Sequence, residues 1–529
     1  MGCACRARRS ALSEIIRAPV KRQMTMTLAR PSIALSRPKA TKAIDPAKIP
    51  ATTPTAPSIP SQTSVSVASS LARRARRNHD GLPGETSVQS NDLRRDTATS
   101  EMRRRLPLPC CAMALFSLPC TPRFLGRSPG SVTLSNACVV GVCIAEILGL
   151  AGYSIVPALL PQLMNAWSLN GTEAGWLAGI NSGGYMLGVI PLVTLTDSIP
   201  ARTVYLASAV LGTIATFGLA FSDALGPALV FRALTGVALA GMYMPGLRAL
   251  ADRIDGARRA RVAALYTSSF TVGTALSFLL GRAGILWGWR AAFLVAAFAG
   301  LAGCAIVWAT MPRSQEKRSP AKTFFPLRAV LQNRDAVILI VAYTATIWGA
   351  VGLRQWVVVF LGFCAGDPTH SDWTALAVAA LINLLGVPAG LWGNELAIRF
   401  GLRFTAILIF IASAILASAF GFVALAPFAG AAIAALMVGF IAAGNFSNLT
   451  SGLLAFVVPR YAGATMALYS CIGFSGGFLG TVLFGLTLDK FGGVSHLSAW
   501  IASFGSSGIA CLLGATAMAL LSHDVERRA

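Results

Sequence analysis

The chain has 529 residues, 55% of them hydrophobic and only 12% charged, against about 25% charged in a soluble domain. The apolar residues gather into runs of about 20, the length at which a helix crosses about 30 Å of hydrocarbon, which excludes a water-soluble fold. The net charge of +23 would suit nucleic acid, but the first 112 residues hold 20 Lys+Arg against 7 Asp+Glu, and most of the remaining excess lies in short loops where positive charge orients membrane spans, so no nucleic-acid partner is expected.

Residues 1–112 read as a disordered basic tail. "AIDPAKIPATTPTAPSIPSQTSVSVASS" is rich in Pro, Ser and Thr, and "ARRARR" and "MRRRLP" follow it. Such a composition buries too little apolar surface to fold. The break in character predicts that translation starts at or near Met113. A cytoplasmic tail or an Arg- and Ser-rich transit peptide are the other readings.

Twelve spans follow. Six fall near 135–160, 175–196, 203–222, 227–247, 263–282 and 290–311, within a first bundle over 130–312. A polar linker covers 313–335. Six more fall near 336–358, 374–393, 404–424, 428–450, 464–487 and 498–521, within a second bundle over 336–523. Alternate loops are basic, carrying Arg202, the knot "ADRIDGARRAR" at 251–261, the linker, Arg399 with Arg403, and Arg460. Arg282 and Lys490 are the exceptions. The positive-inside rule then puts both termini and the linker in the cytoplasm.

The halves repeat. "AALYTSSFTVG" (263–273) matches "MALYSCIGFSG" (466–476), with Tyr266 and Tyr469 203 residues apart, as are Gly241 and Gly444. "LTDSIPAR" (195–202) matches "LAIRFGLR" (396–403) at an offset of 201. A six-span repeat suggests two similar bundles with a site between them at the midplane.

With this span count, the long middle loop, those paired loop motifs, "RALTG" (Arg232 to Gly236) and "WGWRAAF" (287–293), the sequence resembles the major facilitator superfamily over about residues 130–523. The resemblance implies an all-α membrane fold of twelve helices in two pseudo-symmetric six-helix bundles. It also implies alternating access, a proton-coupling role for Arg232, and a cytoplasmic loop at Asp197 and Arg202 that holds the outward-facing state. The loop motif is imperfect. Val193 and Pro200 replace glycines in the first copy, and Ile398 stands where the second should have Asp.

Ionisable groups inside spans are costly and mark function. Glu146 lies about eleven residues into span 1 and is the candidate proton carrier. Arg232 in span 4, at a similar estimated height, is its candidate partner. Arg354 in span 7 would attract a carboxylate from the central cavity. Asn181, Tyr185, Gln355 and Asn383 are candidate substrate contacts; interhelical hydrogen bonding is the plainer role for the asparagines and Tyr185. Asp197, Arg202, Asp252, Arg253, Arg258, Arg399, Arg403, Asn445 and Asn448 are candidates for a cytoplasmic gate. All four histidines fall outside the spans. The eleven cysteines lack metal spacing, and no P-loop or HExxH motif occurs. No metal, cofactor or enzymatic activity is expected.

The sequence therefore reads as a monomeric secondary transporter of the cytoplasmic membrane, taking up a small organic anion with protons. Span 5 reads "YTSSFTVGTALSFLLG", without the Gly-Pro-Gly-Gly-like pattern of the family's drug exporters, which favours uptake. Proton-coupled multidrug or metabolite efflux is the alternative. A non-transporting membrane sensor of the same fold is the reading from another class.

Overall fold

The computed structural model describes residues 136–251, 254, 257–311, 330–367, 372–457 and 462–522. The tail, the linker, Asp252, Arg253, Arg460, His370 and His523 lie outside the described residues.

The described chain is helical throughout. Span 1 is two helices, Asn136–Gly149 and Ile155–Trp167. Span 2 is Gly171–Leu195, span 3 Ala201–Ala220, span 4 Leu225–Ala251, span 5 Ala257–Trp287 and span 6 Trp289–Thr310. Span 7 is Arg334–Ala365, span 8 Trp373–Phe400 and span 9 Leu402–Phe420. Span 10 runs from Phe428–Ala443 into Asn445–Phe456, span 11 is Ala462–Lys490 and span 12 Leu497–Ala519. Spans 2 to 12 give 11 helices long and apolar enough to cross a membrane. The first helix of span 1 has 14 residues, too few to cross alone. The sequence predicts one continuous span there, and the break is a correction to it.

Local chemistry sets the ends. Asn170 and Glu173 form a reciprocal capping box that starts span 2, with Glu173 N donating to Asn170 Oδ1 at 2.8 Å and Asn170 N to Glu173 Oε2 at 3.0 Å. Asn333 accepts from Ala336 N and starts span 7. Each satisfies an N–H that the first turn leaves free.

Lipid tails are as apolar as the helices, so close packing rather than water exclusion holds spans together. Gly236 of span 4 lies against span 2 so closely that a Cβ there would stand 2.0 Å from the Asn181 carbonyl oxygen.

The buried side chains form distinct clusters. One is shared by both bundles and includes Leu159, Leu177, Phe278, Trp356, Leu376 and Phe484. It lies toward the face opposite the basic loops. Nearer the basic face, one cluster belongs to the first bundle alone (Val142, Tyr205, Tyr266, Val307) and another to the second bundle alone (Leu339, Phe410, Leu453, Met518). The bundles thus pack as one body at one face and as two at the other.

Candidate functional site

The break in span 1 organises the middle of the first bundle. Residues 150–154 leave the helix, which frees backbone groups that hydrocarbon cannot solvate. Ser277 of span 5 takes two of them, donating to the Ala151 carbonyl at 2.6 Å and accepting from Ser154 N at 2.8 Å. Arg232 of span 4, fully buried, donates to the carbonyl oxygens of Tyr153 at 2.8 Å and Gly152 at 3.5 Å.

Arg232 therefore clamps the break and does not pair with Glu146, as the sequence suggested. Glu146 is 2% exposed. Its Oε2 lies 2.5 Å from Ser269 Oγ, which is also 2.7 Å from the Tyr266 carbonyl oxygen. A hydroxyl carries one proton. Both contacts are full hydrogen bonds when Ser269 donates to the carbonyl and the Glu146 carboxyl donates to Ser269. The other oxygen, Oε1, is buried with no hydrogen-bond partner among the described residues, and the same holds for Tyr205 Oη, within electrostatic reach of the carboxyl.

Arg354 reaches the interior from span 7. Its guanidinium lies 5.7 Å from the Phe446 ring centroid of span 10, and its Nη2 would be 3.5 Å from a Cβ at Gly386 of span 8. It makes no hydrogen bond or ion pair among the described residues. Tyr153, at the span 1 break, lies within electrostatic reach of both Arg354 and Arg232, and Tyr343 within reach of Arg354. Neither tyrosine hydroxyl has a hydrogen-bond partner among the described residues. Rings surround this region. Tyr343 stacks on Tyr469 at 3.9 Å and meets Phe446 edge-on at 6.2 Å, and Tyr153 meets Phe270 edge-on at 6.0 Å. The guanidinium is thus flanked by polar tips and rings of both bundles, groups whose charge and shape are complementary to a flat anion.

The other candidates are placed as follows. Asn181 donates to Thr235 Oγ1 at 2.9 Å, joining spans 2 and 4. Tyr185 stacks on Phe474 of span 11 at 4.0 Å, across the bundles. Asn383 donates to the Ala379 carbonyl of its own helix. Gln355 is 4% exposed, and its Oε1 has no partner among the described residues.

At the basic face, Asp197 pairs with Arg248 at 2.7 Å. Arg202 donates to the Trp308 carbonyl at the end of span 6, and Arg403 to the Ala519 carbonyl at the end of span 12. The repeat thus uses one arginine per bundle on the free carbonyls of its last helix. Arg258 donates to Asn136 Oδ1, and Arg399 pairs with Glu395 on one exposed helix face. Asn445 donates to the Ala406 carbonyl and Asn448 to Asn445 Oδ1, inside the second bundle. Among the described residues, no group of three metal-ligating side chains comes together.

Sequence reasoning missed Ser269, Ser277, Tyr153, Tyr343 and Phe446. Their signals are single hydroxyls and rings in apolar runs, which pattern alone does not separate from packing. Arg248, the partner of Asp197, carried the louder signal of a charge at a helix end.

The family model described as Major Facilitator Superfamily matches residues 142–481. Over 249 residues the chain is 27% identical to the 3-(3-hydroxy-phenyl)propionate transporter of Escherichia coli (strain K12), covering 44% of this chain and 59% of that one. Over 142 residues it is 28% identical to the niacin transporter NiaP of Acinetobacter baylyi, covering 27% of this chain and 32% of that one. The matched part is less than two thirds of either relative. A solved structure of a bacterial homologue of the human lysosomal transporter Spinster, inward-facing and occupied, shares the fold at a TM-score of 0.62 and 16% identity, covering 74% of this chain and 96% of that chain. With two six-span halves and a family match over more than half its length, the chain belongs to the Major Facilitator Superfamily, a family of membrane transporters for small molecules.

Proposed function

We propose that the chain is a proton-coupled secondary transporter that takes up a small aromatic carboxylate by alternating access. The observation that carries this is Arg354: a guanidinium in the membrane interior with no anionic partner among the described residues, set among tyrosine hydroxyls and rings. A cation is expensive there unless a ligand compensates it. An aromatic carboxylate supplies the anion for Arg354 and a flat face for Phe446, Tyr343 and Tyr153. The cargoes named for the two relatives, niacin and 3-(3-hydroxyphenyl)propionate, are both of this class.

Glu146 carries the proton, with Ser269 as its partner, and Arg232 holds the broken span beside it. Gln355 and Asn181 complete the lining. The Asp197–Arg248 pair braces the first bundle's side of the cytoplasmic gate, because the basic loops put that face inside the cell. The protein acts as a monomer in the cytoplasmic membrane.

The test is transport by the full chain in proteoliposomes, with labelled nicotinate, benzoate, 3-(3-hydroxyphenyl)propionate and a cationic drug. An acid-outside pulse drives carboxylate accumulation. Arg354→Ala lowers carboxylate counterflow at least about tenfold, as expected for a lost charge-assisted contact. Glu146→Gln abolishes accumulation but keeps counterflow. Carboxylate flux that ignores the pH gradient overturns the coupling, and drug flux without carboxylate flux makes the protein an exporter.

A further inference from the structure

Two contacts away from the central site join the bundles at the face opposite the basic loops. On one side is Asp489, near the end of span 11. It accepts from Gly171 N and Thr172 N, each at 2.7 Å, and from Thr172 Oγ1 at 2.6 Å. These amides open span 2, where a helix has free donors and partial positive charge. Beside the carboxylate the two spans touch backbone to backbone. A Cβ at Gly171 would lie 2.8 Å from the Gly485 carbonyl oxygen, one at Gly175 2.9 Å from that of Thr481, and one at Gly179 3.1 Å from that of Phe478. On the other side is Arg282, near the end of span 5. Its guanidinium lies 4.8 Å from the ring of Trp373, the first residue of span 8.

Spans 5 and 11 are repeat mates, and so are spans 8 and 2. The two contacts therefore join equivalent helix pairs, one turn apart in the repeat register, with opposite chemistry: a carboxylate on helix amides, and a guanidinium on an indole. Arg282 is a basic residue on the face that is otherwise poor in them, and its cross-bundle contact gives it a task there.

We propose that these contacts are the paired latches that keep this face closed, with the Asp489 latch dominant. The inference rests on the alternating-access reading above. Opening the face separates span 2 from span 11 and breaks three hydrogen bonds to one half-buried carboxylate. It breaks one exposed cation–π contact between span 5 and span 8. Charge-assisted hydrogen bonds outweigh an exposed cation–π pair.

The test uses the full chain in intact bacterial cells, with Ala178→Cys as reporter. Ala178 is fully buried in the cluster that joins the bundles. A membrane-impermeant maleimide is added outside, and its rate of reaction is read by mass on the peptide carrying the new cysteine, so native cysteines do not count. Asp489→Ala raises the rate about tenfold or more. Arg282→Ala raises it about threefold. The two factors multiply, since the contacts share no partner. In the opposite sense, a Thr172→Cys, Asp489→Cys pair oxidised to a disulfide lowers the rate to background, and reduction restores it. That pair keeps the idea testable if Asp489→Ala does not fold.

A parental rate in Asp489→Ala, with the disulfide still blocking, overturns the latch alone: the face opens and Asp489 does not hold it. A reporter that stays unlabelled in every variant, with cargo counterflow intact when the disulfide is closed, overturns alternating access through this face and the latch with it.

Discussion

At the scale of single residues, the interior holds charges in two different states of satisfaction. Arg232 meets two carbonyl oxygens, whereas Arg354 meets only a ring face. On the proposed function, that contrast separates a structural cation from a ligand-binding one more sharply than depth does. Glu146 is judged by counting protons. Its oxygen and the Tyr266 carbonyl both lie within hydrogen-bond distance of one serine hydroxyl, so a full pair of bonds needs a proton on the carboxyl. Infrared spectra of the cargo-free protein at neutral pH are expected to show a protonated-carboxyl C=O band that Glu146→Gln removes and Ser269→Ala shifts in frequency. A band unchanged in Glu146→Gln would place the proton elsewhere.

At the scale of elements, the twelve spans and their six-plus-six repeat were legible, because hydropathy and loop charge are summed over many residues. The break in span 1 was not. "GLAGYSIVP" contains its ingredients, with glycines at 149 and 152 and Pro157 in the first turn of the second helix, where a missing N–H is tolerated. What stabilises a break in a membrane is the partners of the freed groups, and these lie 80 and 126 residues away at Arg232 and Ser277. No local pattern reports them. The same distance explains the error over Arg232: its height in the bilayer was readable, and the carbonyls facing it were not. Ser277→Ala leaves the Ala151 carbonyl and Ser154 N–H without that partner in a fully buried place, which costs about 1–3 kcal/mol. Ser503→Ala is the control, since its acceptor, the Phe484 carbonyl, lies within the regular helix of span 11. Thermal unfolding in detergent should show a clearly larger loss for Ser277→Ala. Equal losses would mean that the break is stable without its clamp.

At the scale of the whole molecule, the contacts have a direction. The ion pair of Asp197 and Arg248, the arginine caps of Arg202 and Arg403 and the Asn445–Asn448 pair each lie within one bundle. The Asp489, Arg282 and Tyr185–Phe474 contacts cross between bundles, and the shared core lies on the side of the first two. Each half is therefore built as a body, and the bundles are joined most firmly at one face. Rocking about the middle can break the crossing contacts at that face while leaving the internal ones whole. Spin labels test this directly. Ser198, in the turn after span 2, and Arg399, in the last turn of span 8, hold equivalent positions on different bundles, and both are exposed. Ser198 and Arg259 belong to the first bundle, and both are exposed. Between parent and Asp489→Ala, the Ser198–Arg399 distance distribution should gain a shorter population as the basic face closes. The Ser198–Arg259 distance should hold within about 1 Å, the backbone change of a preorganised body. If the distance inside the bundle changes as much as the one between bundles, the halves bend rather than rock, and the latch would act on a helix instead of on a face.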